Sequence, residues 1–321
     1  MEMTRKDFLK TAGGALAASL YASSPAAAAP ASKLIRGTSL YSYQEVFYTG
    51  VMSFEDLLRE VASCGGKSIE LIPEEMVEDF PNPSERWVTK FKSLMDKYGL
   101  QPWTYTQFQD TELVKGMDLP LEKGGKSLGF DGGPYPGGGL QSGVEMLERD
   151  LKLANRLGFQ HMRLLIGTPL AVAEKCIPLA EKYKVWMGFE AHAPITLKGK
   201  LLNKWVEMFE RVKSPNIGIL PDFGIFSRSN PQDADDLVPL KKYIKAFHGK
   251  TYDLDENCNE TRVGYEKVIP VLVAAGFDCA INCEYEGQRS KQNTSVDIYD
   301  EVEQVRRWHV MMRRLLGEIP A

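Results

Sequence analysis

The sequence predicts an α/β chain closed into a (β/α)8 barrel, and three observations carry that expectation. From Lys33 onward, short apolar segments with strand character alternate with amphipathic helical segments, and no Ser/Gly linker marks a domain boundary. Eight such units fill about 290 residues, the size of one barrel. Glu190, Asp222, His248 and Glu284 each close an apolar run, in GFEAHAP, ILPDFGIF, KAFHGKTYD and INCEYEG, at spacings of 32, 26 and 36 residues. In a closed barrel the C-terminal strand ends gather around one mouth, whereas an open sheet would spread these residues along a line.

The elements follow in order. Leu34 to Tyr41 reads as the first strand. Phe54 to Cys64 reads as a helix opened by Ser53, with Glu55 and Asp56 where the helix dipole favours negative charge. Ser68 to Ile72 is a strand, Ser84 to Tyr98 a helix ended by Gly99, and Gln101 to Phe108 a strand. Gly143 to Leu157 is a helix ended by Gly158, His161 to Ile166 a strand, and Leu170 to Tyr183 a helix. The second half alternates strands at Val185 to Glu190, Ile217 to Asp222, Ile244 to Tyr252 and Cys279 to Tyr285 with helices at Leu201 to Val212, Tyr265 to Ala275 and Val296 to Leu316. A weaker helix is expected near Ala234 to Leu240. The stretch from Gln109 to Gln141, rich in glycine and proline, leaves the C-terminal end of the third strand and is expected to overhang the mouth as a lid.

Residues 1–31 are unlike the rest. A charged start, TRKDFLK, precedes a small-residue apolar stretch from Ala12 to Tyr21 and an Ala-rich exit to Ala31, the parts of an export signal too short to span a bilayer. TRKDFLK resembles the twin-arginine motif with Lys6 in place of the second arginine. The expectation is export to the periplasm or beyond, and a mature single barrel domain at 32–321 with no membrane segment. A net charge of -4 and a pI near 5.8 offer no basic surface for nucleic acid. Five scattered cysteines write no disulfide framework, and Cys279 and Cys283 read as buried strand residues.

A single carboxylate or imidazole at a strand end is ordinarily a cap, a solvated group or a satisfied core residue. Four converging on one mouth would repel and desolvate one another unless a cation compensated them. Three oxygen donors and one nitrogen, with positions left open for substrate oxygens, suit a hard to borderline divalent ion. Mn²⁺ is the expectation, with Mg²⁺, Co²⁺ and Zn²⁺ as alternatives. His192, two residues beyond Glu190, is a candidate base or hydroxyl-binding group, or else a loop histidine beside Pro194. Lys250, two beyond His248, is a candidate for holding an oxyanion, or else a solvated lysine. Trp103, Tyr285 and Glu286 are candidates for lining a substrate pocket, although aromatic strand residues are more often core. His161, at the start of its strand, and His309, in the last helix, read as structural.

With those residues in place, the chain resembles the sugar isomerase and epimerase superfamily built on the xylose-isomerase-like barrel. Its smaller members hold Mn²⁺ with Glu, Asp, His and Glu on strands five to eight. The resemblance implies ligands at Glu190, Asp222, His248 and Glu284, and paired acid and base carboxylates at Glu190 and Glu284. In the tagatose 3-epimerase branch a substrate-binding His follows the Asp ligand by three residues and an Arg follows the His ligand by six; this chain has Ile225 and Leu254 there. FHGKTYDLDEN, YEKVIPVLVAAGFD, CEYEG and VEQVRRWHVMMRRLL resemble instead the large subunit of C-glycoside deglycosidases, which act on 3-keto glycosides, and related secreted proteins.

Both resemblances imply one chemistry: removal of a proton beside a sugar carbonyl, followed by epimerisation, isomerisation or elimination of an aglycone. The expected substrate is a neutral sugar or glycoside, since no glycine-helix anion site follows strands seven or eight. A homo-oligomer and a small second subunit both remain open as assemblies. An apurinic endonuclease is disfavoured, because four histidines, two of them poorly placed, do not build its multi-zinc cluster. An exported, non-catalytic sugar-binding protein is the remaining alternative.

Overall fold

The first two long helices start where a serine caps them. In the computed structural model, which describes residues 32–107, 140–228, 232–287 and 300–320, α1 (Phe54–Ser63) opens on a capping box. Ser53 Oγ accepts from the Asp56 amide at 3.3 Å and Asp56 returns the contact to the Ser53 amide at 2.9 Å. α2 (Glu85–Tyr98) opens on Ser84 and closes at Gly99, whose φ of 62° is the left-handed conformation that glycine adopts without strain. α3 (Leu140–Leu157), α4 (Leu170–Tyr183), α5 (Lys200–Val212), α6 (Tyr265–Ala274) and α7 (Asp300–Leu315) complete the outer layer.

The weak helix expected near Ala234 to Leu240 is instead a 3-10 segment, Ala234–Tyr243. Only Ala234 and Leu237 are buried along it, so little apolar face locks it into α geometry, and Pro239 removes one amide donor. The expected lid, residues 109–141, lies outside the described residues except for Leu140 and Gln141, which open α3. The chain divides into Met1–Ala31 and Ser32–Ala321; the first of these, read above as an export signal, also lies outside the described residues. Among the described residues no helix is long and apolar enough to cross a membrane.

Eight parallel strands form the inner layer: β1 (Ile35–Ser39), β2 (Ser68–Leu71), β3 (Gln101–Gln107), β4 (His161–Leu164), β5 (Trp186–Ala191), β6 (Ile217–Pro221), β7 (Ala246–Thr251) and β8 (Ala280–Tyr285). Their order is β6-β5-β4-β3-β2-β1-β8-β7. The first and last strands pair, Ile35 against Ala280. The β6 and β7 edges are joined by parallel bridges, Ile219 with Ile244 and Asp222 with His248, so the barrel is nearly closed.

Alternation along each strand sends one set of side chains outward and the other into the barrel. The outward set, including Phe189, Ile219, Phe247 and Ile281, is buried against the helices, with Phe189 stacked on Trp205 at 4.1 Å. Each such fully buried side chain contributes roughly 1.5–3 kcal/mol. Inside, the lower end is plugged by Trp186, Leu220 and Ala246 with Trp103 against them. A β-carbon at Gly188 would meet the Trp186 ring at 2.2 Å, so only glycine leaves that ring its place. Above the plug the interior turns polar: Ser68 Oγ donates to Asn282 Oδ1 at 2.9 Å, and Asn282 Nδ2 donates to Thr104 Oγ1 at 3.4 Å. All five cysteines are free thiols, with Cys279 and Cys283 buried as expected.

His161 and His309 are both structural. His161 is stacked against Trp103, with ring centroids 5.0 Å apart, and its Nδ1 donates to the Trp103 carbonyl at 3.1 Å. His309 lies between Thr38 and Arg36, each at 2.9 Å. Burial pushes His161 down to about 4, and burial with the neighbouring Arg36 pushes His309 down to about 3. Both fold neutral and take up a proton on unfolding, where an ordinary histidine titrates near 6.5. Their contribution is therefore complete above that value and falls as pH drops toward 4, by about 1.4 kcal/mol per pH unit for each histidine. Urea unfolding at pH 7 and pH 5 is expected to show this loss, and His309→Gln is expected to remove about half of the slope.

Candidate functional site

Strand parity decides which side chains reach the C-terminal mouth. Glu190 is the fifth residue of β5, His248 and Lys250 are two apart on β7, Glu284 follows Asn282 by two on β8, and Asp222 directly follows β6. The bridge between Asp222 and His248 sets those two side by side. Glu190 and Glu284 are 2% exposed, and Asp222 and His248 are 0% exposed.

Glu190, Asp222, His248 and Glu284 offer one ligand atom each, all within 4.8 Å of one another. His248 Nδ1 is 3.1 Å from Glu284 Oε2, 3.4 Å from Glu190 Oε1 and 3.7 Å from Asp222 Oδ2. The other ring nitrogen, Nε2, is 2.5 Å from Glu70 Oε2, and this contact turns Nδ1 toward the cluster. Glu70 is held in turn by the Thr106 hydroxyl. Asp222 Oδ1 accepts from the Gly224 amide at 2.6 Å, which leaves Oδ2 to face inward.

Two buried cations share the space. Arg163 Nη1, on β4, is 2.9 Å from Glu190 Oε1, 3.2 Å from His248 Nδ1 and 3.3 Å from Glu284 Oε1. Lys250 Nζ is 2.5 Å from Glu284 Oε2, 3.0 Å from Glu286 Oε2 and 3.4 Å from Asp222 Oδ2. Burial alone would push the Glu190 carboxyl up, yet Arg163 and His248 overcome it and hold the group at about 2. Against the same opposition, His248 and Lys250 hold Glu284 well below the carboxylate range. Burial likewise opposes the charge on His248 and Lys250, and the surrounding carboxylates raise both.

The residues fit a divalent ion on two counts. Among the described residues Asp222 Oδ2 and Glu284 Oε2 are buried oxygens without a well-directed hydrogen bond, though Lys250 Nζ lies 2.5 Å from the latter, so lone pairs are left for a ligand. The buried carboxylates of Glu70, Glu190, Asp222 and Glu284 outnumber the permanent cations Arg163 and Lys250 by two, which with a neutral His248 is the charge that one divalent ion balances.

The remaining sequence-based candidates divide. Lys250 and Glu286 belong to the site, but Lys250 is fully engaged by three carboxylates rather than solvated. Glu286 is 25% exposed and sits at the rim. His192 stands at the mouth close enough to influence Glu190. Its Nδ1 donates to the Ala193 carbonyl at 2.6 Å, which in the neutral ring leaves Nε2 as the basic nitrogen. Tyr285 is one residue from Glu284, so parity turns it into the core outside the barrel. Trp103 is not brought to the mouth: its Nε1 donates to the Lys245 carbonyl at 3.0 Å and its ring closes the opposite end, which corrects the expectation that it lines the pocket. Sequence reasoning passed over Glu70 and Arg163. Their signal was a charge in the middle of an apolar strand, SIEL and HMRLL, rather than at its end.

Fold and site together define a (β/α)8 barrel with a buried carboxylate and histidine cluster at its C-terminal mouth. Residues 58–308 match the xylose isomerase-like TIM barrel, and the chain belongs to that family of enzymes. The chain is 24% identical to the 3'-dehydrocarminate deglycosidase alpha subunit of a Microbacterium species, over 89% of this chain and 96% of that protein. It is 22% identical to a C-glycoside deglycosidase alpha subunit of Arthrobacter globiformis, over 88% of this chain and 92% of that protein. Solved structures with the same fold include L-ribulose 3-epimerase (TM-score 0.62, 12% identity, 89% of this chain and 95% of that one). D-psicose 3-epimerase of Clostridium cellulolyticum H10 is similar (TM-score 0.60, 11% identity, 88% and 99%).

Because Glu70 holds the ring of His248 through Nε2, Glu70→Gln is expected to weaken whatever Mn²⁺ affinity the cluster has by about 10–100-fold while the far-ultraviolet circular dichroism stays unchanged. Isothermal titration with Mn²⁺ measures the loss.

Proposed function

We propose that this protein is a divalent-metal-dependent enzyme that removes a proton from the carbon beside a ketone of a neutral sugar or glycoside. The observation that carries the reading is the cluster of Glu190, Asp222, His248 and Glu284, buried at the mouth with one ligand atom from each within 4.8 Å of the others. These four side chains would hold the ion, with Mn²⁺ the best match to three oxygens and one nitrogen. When bound, the ion supplies charge stabilisation for a sugar oxygen that becomes negative as the proton leaves.

The protein's own groups carry the proton. Glu190 and Glu284 are kept ionised by Arg163, His248 and Lys250, so both are proton acceptors at neutral pH. His192, with its basic Nε2, is the second candidate base at the rim. Elimination from a 3-keto glycoside is the outcome best supported. The base takes the proton next to the ketone, the freed electron pair forms a carbon–carbon double bond, and the aglycone departs with the electrons of its bond to the anomeric carbon and is protonated.

Two observations favour elimination. The deglycosidase alpha subunits align along most of this chain. Ile225 and Leu254 are also buried and apolar where the resemblance to the tagatose 3-epimerase branch calls for substrate-binding His and Arg. Epimerisation of a free ketose is the second reading, favoured by Glu190 and Glu284 both lying beside His248 Nδ1, in reach of one substrate from two strands. The alpha-subunit names of the relatives also favour a second, different subunit for this chain.

Incubating Mn²⁺-loaded protein with 3-keto glycosides and with free ketoses in deuterated water, followed by NMR, separates the outcomes. Release of the aglycone is expected from the former; deuterium exchanged into a ketose without aglycone release would establish epimerisation instead. Absence of both, with Mn²⁺ bound, would end the proposal. Glu190→Gln and Glu284→Gln are each expected to lower kcat by about 10²–10⁴-fold, and chelation of the ion should abolish turnover in a way that Mn²⁺ restores.

A further inference from the structure

Arg163 is an unusual neighbour for a metal site. Its guanidinium is 2% exposed on the interior face of β4 and does not lose its proton in a protein. Nη1 lies 2.9–3.3 Å from Glu190 Oε1, His248 Nδ1 and Glu284 Oε1, atoms of three of the four residues that would hold a divalent ion. A second positive charge cannot be gripped by those side chains while Nη1 stays in place, because like charges at contact distance repel strongly in a buried site.

Arg163 also has somewhere to go. Its Nε is buried with no hydrogen-bond partner among the described residues and lies 3.5 Å from Glu70 Oε1. A shift of well under 1 Å would bring Nε within hydrogen-bond distance of that oxygen. Glu70 is the same carboxylate that orients His248 through its other oxygen, so the residue that would receive Arg163 already fixes a ligand.

Resting on the metal-dependent reading above, we propose that Arg163 is a positioning residue, an internal cation that holds Glu190, His248 and Glu284 together before metal arrives and moves onto Glu70 when the ion is taken up. The site is thus preformed, since three buried side chains have a charged partner at every stage. The cost is affinity: ion and guanidinium compete, and by linkage whatever Arg163 adds to the metal-free state is subtracted from metal binding.

Arg163→Met keeps an unbranched apolar stem and removes the charge. Metal-free Arg163→Met is expected to melt roughly 5–10 °C below the metal-free wild type, because buried carboxylates lose their partner. Saturating Mn²⁺ should close most of that gap. By titration calorimetry, the folded variant should bind Mn²⁺ at least about tenfold more tightly than the wild type. Should Arg163→Met fail to fold without metal, Arg163→Lys, whose point charge cannot span three ligand atoms, is expected to show both effects to a smaller degree. Equal or weaker Mn²⁺ binding by the folded variants, with wild-type binding intact, overturns the inference and leaves the metal-dependent reading standing. No Mn²⁺ binding by the wild type brings down both.

Discussion

The structure depends on accommodating the carboxyl groups of Glu70, Glu190, Asp222 and Glu284 inside a barrel where they are almost wholly shielded from water. Each buried ion carries a desolvation cost of several kcal/mol, which only close opposite charge and directed hydrogen bonds offset. Arg163, Lys250 and His248 supply part of that compensation, the Gly224 amide and the Thr106 hydroxyl a little more. With a neutral His248 the carboxylates outnumber the permanent cations by two, and that shortfall marks this interior as a site rather than a core.

The rest of the molecule makes that concentration of charge affordable. Barrel interiors are ordinarily packed with branched apolar residues, and this one confines such packing to the lower end, where Trp186, Leu220 and Trp103 form the plug. Stability comes from the outer shell instead, where outward strand residues meet the helices in a continuous apolar layer. The helix caps at Ser53, Ser84 and Gly99 fix the lengths of that shell locally. The upper interior is thereby released from a packing role.

Sequence and structure comparisons bear on different questions. The epimerase structures share the fold at 11–12% identity, which is silent on chemistry. The deglycosidase subunits are more alike in sequence and extend over most of both chains.

The sequence by itself determined the alternation of strands and helices, most of their boundaries, and the four residues at the strand ends, because caps and period-two patterning are local and a charge that closes an apolar run stands out. Only the tertiary structure decided which charges meet. Glu70 and Arg163 lie 93 residues apart inside ordinary-looking strands, and their contact with His248 and Glu190 exists because barrel closure brings β2, β4, β5 and β7 around one axis. Trp103 and Tyr285 make the same point in reverse: strand parity and height along the barrel, which no single segment encodes, placed one at the bottom and the other outside the wall.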